Sequence, residues 1–128
     1  METIKIELPP PHKALRPNAR SATWHRKATA TKQYRAAARY AAIAQMNELR
    51  WPAPPRWKAA TVAVVFSFRS NVRRDKDNLL ASLKAAFDGI ADSGLVDNDS
   101  GLTFLPVEVF YIRNLQRESV ILIFTKTE

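Results

Sequence analysis

The chain has 128 residues, of which 46% are hydrophobic and 25% are charged, and its formal net charge is +8. This composition is typical of one globular domain of ordinary size and excludes a wholly disordered chain. The chain contains no cysteine, which excludes disulfides, thiolate catalysis and sulfur-bound zinc. The composition therefore suits a reducing compartment such as the cytoplasm.

No segment of the sequence has the features of a membrane span or a secretory signal. The longest uncharged apolar run, residues 61–68, is much shorter than the roughly 20 residues that cross a bilayer. The first residues alternate in polarity and include Glu2, unlike a signal peptide. We therefore expect a cytoplasmic protein that has no membrane partner.

The charges are unevenly distributed along the chain. Residues 1–58 contain 12 basic and 3 acidic side chains, whereas residues 59–128 contain 8 basic and 9 acidic ones. A basic half beside a locally acidic half suits a nuclease, in which cations bind the phosphate backbone and carboxylates bind metal. A globular domain that is merely basic has the same composition, so charge alone leaves both interpretations open.

The first half of the chain predicts a strand, a loop, a helix and a second strand. Alternating polarity over residues 3–8 predicts a strand, and residues 12–28 predict a basic loop. Residues 31–50 are rich in alanine and predict a helix. Its predicted apolar face consists of Ala36, Tyr40, Ile43, Met46 and Leu49. Residues 61–69 predict a strand that is buried on both faces.

The second half predicts one helix and two strands. The helix is expected to follow an N-cap at Asp77, to end near residue 92, and to close at Gly94 in the left-handed conformation. Residues 103–113 and 118–125 predict two strands that form a closing hairpin. We therefore predict a single α+β domain over residues 1–128, in the order β-α-β-α-β-β. Its mixed sheet packs against two main helices.

Six aspartates and no glutamate lie between residues 75 and 99. N-capping explains Asp77, but Asp75 would repel it at the same helix end unless a neighbouring arginine or a bound cation intervenes. Asp97 and Asp99 form a second acidic turn. Mg²⁺ is usually held by a few carboxylates together with substrate phosphate. The two acidic segments are therefore candidate magnesium ligands.

Lys84 follows Asp77 by two helical turns, so its ammonium group can approach the carboxylates. There it could steady the carboxylates, contact a scissile phosphate or stabilise the transition state. The alternative is an ordinary surface lysine beside Asp88. On the preceding helix, Lys32, Arg35 and Arg39 share a face that either follows a phosphate backbone or is simply solvated.

Residues 73–79, 83–88 and 97–99 together resemble the RusA family of Holliday junction resolvases. Residues 8–10 and the region from 17–20 to 34–35 resemble its phage-type members as well. The resemblance extends over almost the whole chain. Its most specific part is the Asp-Xaa-Asp-Asn-Leu core followed by a helix that carries a lysine.

The resemblance implies a small homodimeric endonuclease that makes paired nicks across four-way DNA junctions in recombination and repair. It implies Mg²⁺ as the cofactor, with Mn²⁺ as a substitute. Asp75, Asp77 and Asp99 would bind the metal, and Lys84 would be their basic catalytic partner. The chain reads Asp97-Asn98-Asp99 where relatives often carry consecutive acids, so Asp97 is an alternative third ligand. Contacts with the DNA backbone are expected from Arg16, Arg20, Arg26, Lys27, Lys32, Arg35, Arg73 and Arg74.

Two other functions fit the same residues. A non-catalytic nucleic-acid-binding module would use its acids only to cap and solvate helix ends. A Mg²⁺ nuclease could instead act on other branched DNA, such as flaps or forks. Neither His12 nor His25 is assigned a catalytic role, because lone histidines in a basic loop more often contact the backbone. The tryptophans are expected to be core or interface anchors rather than platforms for bases, and they are Trp24, Trp51 and Trp57.

Overall fold

The structure is a computed structural model, and it describes residues 2–17 and 23–127. Within these residues five strands form one sheet, namely β1 (Thr3–Leu8), β2 (Ala60–Phe68), β3 (Leu102–Phe104), β4 (Glu108–Tyr111) and β5 (Ser119–Lys126). The helices are α1 (Trp24–Glu48), α2 (Lys76–Ala81) and α3 (Lys84–Asp92), with 3-10 turns at Lys13–Leu15 and Asp99–Gly101. The predicted α+β class, with a mixed sheet and two main helices, is confirmed.

Strand β2 has hydrogen-bonded partners along both of its edges. On one edge it pairs antiparallel with β5, and β5 pairs antiparallel with β1. On the other edge β2 pairs in parallel, first with β3 and then with β4. Strands β3 and β4 are therefore two pieces of a single edge. Pro106 lies between them and cannot donate a hydrogen bond to the ladder.

The predicted closing hairpin is wrong, because β4 and β5 lie on opposite edges of β2. The connection between them crosses the end of β2, where the guanidinium of Arg69 donates to the carbonyls of Leu115 and Gln116 at 2.8 Å. The amide of Arg69 also donates to Glu118 at 3.0 Å. A central position suits β5, because its apolar side chains point to both faces of the sheet and an edge strand would leave more of them in water.

One face of the sheet forms the core together with α1 and α3. Alternate side chains of β1, β2 and β5 are buried there, including Ile6, Phe66 and Phe124. On the opposite face Ala63 and Val65 are only half-buried. The prediction that β2 is buried on both faces is therefore confirmed for the inner face, whereas the outer face is only half-buried.

Helix α1 begins at Trp24, seven residues earlier than predicted. The Thr23 hydroxyl accepts a hydrogen bond from the amide of Arg26 at 3.2 Å and caps the first turn. Residues 24–28 are therefore helical, and the prediction of a loop over 12–28 is wrong for them. The predicted apolar face is wrong for Tyr40 and Leu49, which are 64% and 42% exposed, whereas Met46 is buried and Ala36 and Ile43 are half-buried. The buried residues of the helix are Ala30, Tyr34, Ala38, Ala42 and Met46.

Close packing against α3 explains why several of these buried residues are alanines. A Cβ atom on Gly89 would lie 2.1 Å from the carbonyl oxygen of Arg35 and 3.1 Å from the Ala38 Cβ. The backbones of the two helices therefore approach each other closely at this point, and no side chain fits between them. The side chains of Arg35 and Asp92 join the same helices through two hydrogen bonds of 2.6 and 2.9 Å.

The predicted second helix is divided into α2 and α3. The hydroxyl of Ser82 donates to the carbonyl of Leu79 at 2.6 Å, and the amide of Leu83 donates to the carbonyl of Leu80 at 3.1 Å. These i to i+3 bonds tighten the backbone and end α2. The carboxyl end of α3 agrees with the prediction, because Gly94 follows it with a φ of +85°.

Replacement of Gly89 by alanine tests the contact between α1 and α3. We expect Gly89→Ala to lower the free energy of unfolding by about 1–3 kcal/mol, as overpacking does. Helix propensity alone would instead favour alanine by about 1 kcal/mol. Equilibrium unfolding in urea measures the difference. A variant as stable as the wild type, or more stable, would contradict this packing.

The ion pair between Arg35 and Asp92 predicts a pH dependence of stability. The Arg35 guanidinium lowers the pKa of Asp92 below its ordinary value of 3.8 through hydrogen bonding. The contribution of the pair is therefore present at neutral pH and is lost as pH falls through this lowered pKa. We expect Asp92→Asn to cost at most about 1 kcal/mol at neutral pH, since both side chains are partly solvated.

Unfolding in urea at neutral and acid pH checks this prediction. The stability difference between the wild type and Asp92→Asn should shrink as pH falls below 3.8. The exposed Asp97→Asn serves as the control. A difference between the wild type and Asp92→Asn that stays constant with pH would contradict the role assigned to the pair.

Candidate active site

Asp75 and Asp77 lie where the loop that follows β2 enters α2. Asp75 is the N-cap, and its Oδ1 accepts hydrogen bonds from the amides of Asp77 at 2.8 Å and Asn78 at 3.3 Å. The prediction of Asp77 as the N-cap is wrong, because the helix starts two residues earlier, at Lys76. Asp77 instead occupies the exposed first turn. Both carboxylates are thus near the positive end of the helix, which lowers the cost of placing them together.

Lys84, at the start of α3, contacts two carboxylates. Its Nζ lies 2.9 Å from Oδ2 of Asp99 and 3.3 Å from Oδ1 of Asp88. The hydrogen bond to Asp99 is the main reason that the pKa of Lys84 is raised above its ordinary value, and the bond to Asp88 adds to it. The lysine therefore links α3 to the 3-10 turn that begins at Asp99.

This contact joins two parts of the predicted site that are separated in sequence. Asn98 caps the 3-10 turn by accepting a hydrogen bond from the amide of Ser100 at 2.9 Å, which holds Asp99 at the first position of the turn. Asp97 precedes the turn and is exposed. Of the two candidates for the third ligand, Asp99 is the one that contacts Lys84.

The structure does not bring the predicted carboxylates together into a complete metal cage. Among the described residues, no group of three or more His, Cys, Asp or Glu side chains is placed to hold one metal ion. The donor set is nevertheless chemically suited to Mg²⁺, which often takes one or two protein carboxylates and completes its shell with water and substrate phosphate. The chemistry of these donors is therefore compatible with Mg²⁺, whereas their placement among the described residues forms no complete site.

A cavity of about 270 Å³ lies beside Asp75. Three of the predicted DNA-binding residues line it, namely Arg16, Arg73 and Arg74. Phe66 and Phe68 line it as well, and sequence reasoning had assigned both of them to the core alone. The alternation of apolar residues in β2 does not predict that these two rings line a cavity. Their position in the cavity wall depends on how the loop of residues 69–75 folds back over the strand.

The other predicted DNA-binding residues are placed on or near α1. Arg26, Lys27 and Lys32 are exposed on its first turns. Arg35 is also exposed, but its guanidinium is bound to Asp92 and is not a free cation. Arg20 lies outside the described residues.

A second cavity, of about 450 Å³, lies at the start of α1. Both histidines of the chain line it, together with Lys13 and Arg26. His12 accepts a hydrogen bond from the amide of Ala14 at 3.0 Å through Nδ1, so that it caps the first 3-10 turn. This bond gives His12 a structural role.

The tryptophans differ in environment. Trp57 is buried, and its Nε1 donates to Glu2 at 3.1 Å, while Trp51 packs against it and is half-buried. The expectation of core anchors is confirmed for these two. Trp24 is 75% exposed and lies on the surface rather than in the core.

No protein-family model matches the chain, and no curated protein matches it. The resemblance to the RusA family therefore rests on the motif residues. Of the helices within residues 2–17 and 23–127, none combines the length and apolar character needed to cross a membrane.

The contact between Lys84 and Asp99 predicts that the pKa of Lys84 depends on the Asp99 carboxylate. We expect Asp99→Asn to lower the pKa of Lys84 toward its ordinary value of 10.5, because the strongest of its carboxylate partners is lost. NMR titration of the isotopically dimethylated lysine, in EDTA, measures this pKa. Asp97→Asn is the matched control and should leave the value unchanged. Equal effects of the two variants would contradict the assignment of Asp99 as the partner.

Proposed function

We propose that the protein is a structure-specific, Mg²⁺-dependent endodeoxyribonuclease that resolves four-way DNA junctions by paired phosphodiester hydrolysis. The observation that carries the proposal is the contact between Lys84 and Asp99. It links the lysine-bearing helix to the second acidic turn, as a site assembled from these motifs requires. The cavity lined by Asp75 and three arginines supports the same function.

The carboxylates would hold the metal at the scissile phosphate. Asp75, Asp77 and Asp99 are the proposed ligands, with Asp97 as the alternative to Asp99. Bound Mg²⁺ would supply an activated water and neutralise negative charge at the phosphate. Asp75 is held in place by the backbone amides that it caps, so its second oxygen is oriented before any ligand binds.

Lys84 would exchange partners during binding. Without substrate it neutralises Asp99, which reduces repulsion among the acidic side chains. When Asp99 is engaged by a cation, the ammonium group is free to donate to a phosphate oxygen or to remain on Asp88. A cation at that position stabilises the charge that develops on phosphate in the transition state.

The arginines and lysines would bind the DNA backbone. Arg16, Arg73 and Arg74 surround the cavity, and the exposed cations of α1 extend the basic surface. Because a four-way junction has local two-fold symmetry, the proposal includes a homodimer that presents two active sites to opposed strands. It also places the enzyme in the cytoplasm, where its DNA substrate would lie.

A non-catalytic DNA-binding module is the second candidate function. The capping role of Asp75 favours it, because the bonds to Asp77 and Asn78 explain that residue without a metal. The two candidates predict the same basic surface and differ in whether the DNA is cut, and therefore in the effect of removing carboxylates.

Cleavage and binding assays on one labelled four-way junction separate the candidates. We expect paired nicks with Mg²⁺, no nicks with EDTA, and a loss of cleavage of at least about 100-fold in Asp75→Asn, as for a group that stabilises the transition state. Binding in a gel shift should be retained. Asp99→Asn should behave like Asp75→Asn, and Asp97→Asn is the matched control.

The alternative outcomes each identify another function. Binding without cleavage in both Mg²⁺ and Mn²⁺ would refute the nuclease and leave the binding module. Equal cleavage of junction, fork and flap substrates would replace junction resolution with a broader activity on branched DNA. Loss of cleavage in Asp97→Asn but not in Asp99→Asn would identify Asp97, rather than Asp99, as the third metal ligand.

A further inference from the structure

We propose that the cavity beside Asp75 is a binding site for one unpaired nucleobase of the DNA, next to the phosphate that is cut. This inference rests on the proposed function and names the part of the substrate that this face of the site recognises. It is carried by the shape of the cavity, by a planar stack of side chains in its wall and by the charges around it.

The wall of the cavity contains two stacked aromatic rings and a guanidinium group that lies over one of them. The rings of Phe66 and Phe68 are nearly parallel, with an interplanar angle of 12° and centroids 5.5 Å apart. The guanidinium carbon of Arg74 lies 3.7 Å from the centre of the Phe68 ring. The same guanidinium carbon lies 5.9 Å from the centre of the Tyr111 ring. Since Arg74 also lines the cavity, its guanidinium is the group on which a base in the cavity would stack.

Hydrogen bonds hold Arg74 in this orientation. Its Nη1 donates to the carbonyl of Ser70 at 3.0 Å and to the carbonyl of Val72 at 3.2 Å. The guanidinium is therefore oriented before a ligand arrives, and little conformational entropy is lost when a base stacks on it. Guanidinium planes and aromatic rings are the surfaces on which proteins stack unpaired bases.

The size of the cavity suits one base rather than several. Its volume of about 270 Å³ lies just below the range of roughly 300–1,000 Å³ for sites that take drug-sized ligands. Asn78 lines the cavity and offers an amide with both donors and an acceptor, which can read the edge of a base. The base would be held by stacking and identified by this amide.

The charges around the cavity fit the backbone that carries such a base. Arg16 and Arg73 are exposed residues of the cavity wall and can contact the flanking phosphates. Asp75 lines the same cavity, so the phosphate beside the bound base would lie next to the proposed metal ligand. The bases at the branch point of a four-way junction are paired, so the base would leave its partner as it enters the cavity, and the stacking gained there would offset the cost of unpairing.

The test measures binding of four-way junctions from which single bases have been removed. Each junction keeps every phosphate and has an abasic nucleotide opposite the position that is tested, so that no pairing is lost on binding. The base at that position is present in the intact junction and removed in the abasic junction, and Ca²⁺ replaces Mg²⁺ in the assay. Fluorescence anisotropy gives the affinity. For the wild type we expect one abasic position to weaken binding about tenfold, the size of one lost stacking interaction, and neighbouring positions to have little effect.

Arg74→Lys keeps the positive charge and removes the planar face. We expect this variant to bind the intact and the abasic junction equally well, while Arg117→Lys, an exposed control outside the cavity, should keep the tenfold difference. Asn78→Ala should reduce discrimination among the four bases at the same position.

Two outcomes would overturn the base site. One is a wild type that binds every abasic junction as tightly as the intact one, and the other is an unchanged abasic penalty in Arg74→Lys. The abasic series on the wild type decides the question even where a variant does not fold. If the wild type cuts junctions without any abasic penalty, only the base site is refuted. If it does not bind junctions at all, the proposed function is refuted with it.

Discussion

The pairing of β2 with strands on both of its edges positions the two acidic segments of the candidate site. Its inner face is filled by apolar side chains, and its last residues, Phe66 and Phe68, also form the wall of the cavity. The loop that leaves β2 carries Asp75 to the start of α2. On the parallel edge, β3 follows directly from the turn of Asp99. One buried strand therefore sets the positions of both acidic segments.

The candidate site balances its own charges in the absence of substrate. Lys84 contacts Asp88 and Asp99, and the Asp75 carboxylate is satisfied by backbone amides. Each of these contacts uses one oxygen of a carboxylate and is exposed to water, so each is weak enough to be exchanged. This arrangement limits repulsion among the acidic side chains, and a bound cation or phosphate can still replace each of the contacts.

Local patterns in the sequence predicted the helices and strands better than they predicted which elements pack or pair with one another. Alternation identified β1 and β2, and Gly94 marked the end of α3, because these signals depend on neighbouring residues only. The hairpin failed because strand pairing depends on distant residues, and the exposed Tyr40 shows that size alone does not choose the buried face of a helix. The buried face of α1 includes the residues that pack closely against Gly89 of α3. Gly89 and Arg35 are far apart in sequence, so no local pattern predicts their contact. Of the candidate site, the motif residues were identified, whereas the cavity wall depends on a stacking contact between Arg74 and Phe68 that only the folded chain reveals.

The interruption between β3 and β4 has a consequence for association between chains. A long, flat edge strand offers a continuous row of amides and carbonyls to which another strand can add. Here that edge consists of pieces of three and four residues, with Pro106 between them. This side of the sheet is therefore a poor template for an intermolecular sheet. Two copies of the chain would associate more readily through side-chain surfaces than by extending the sheet along this edge.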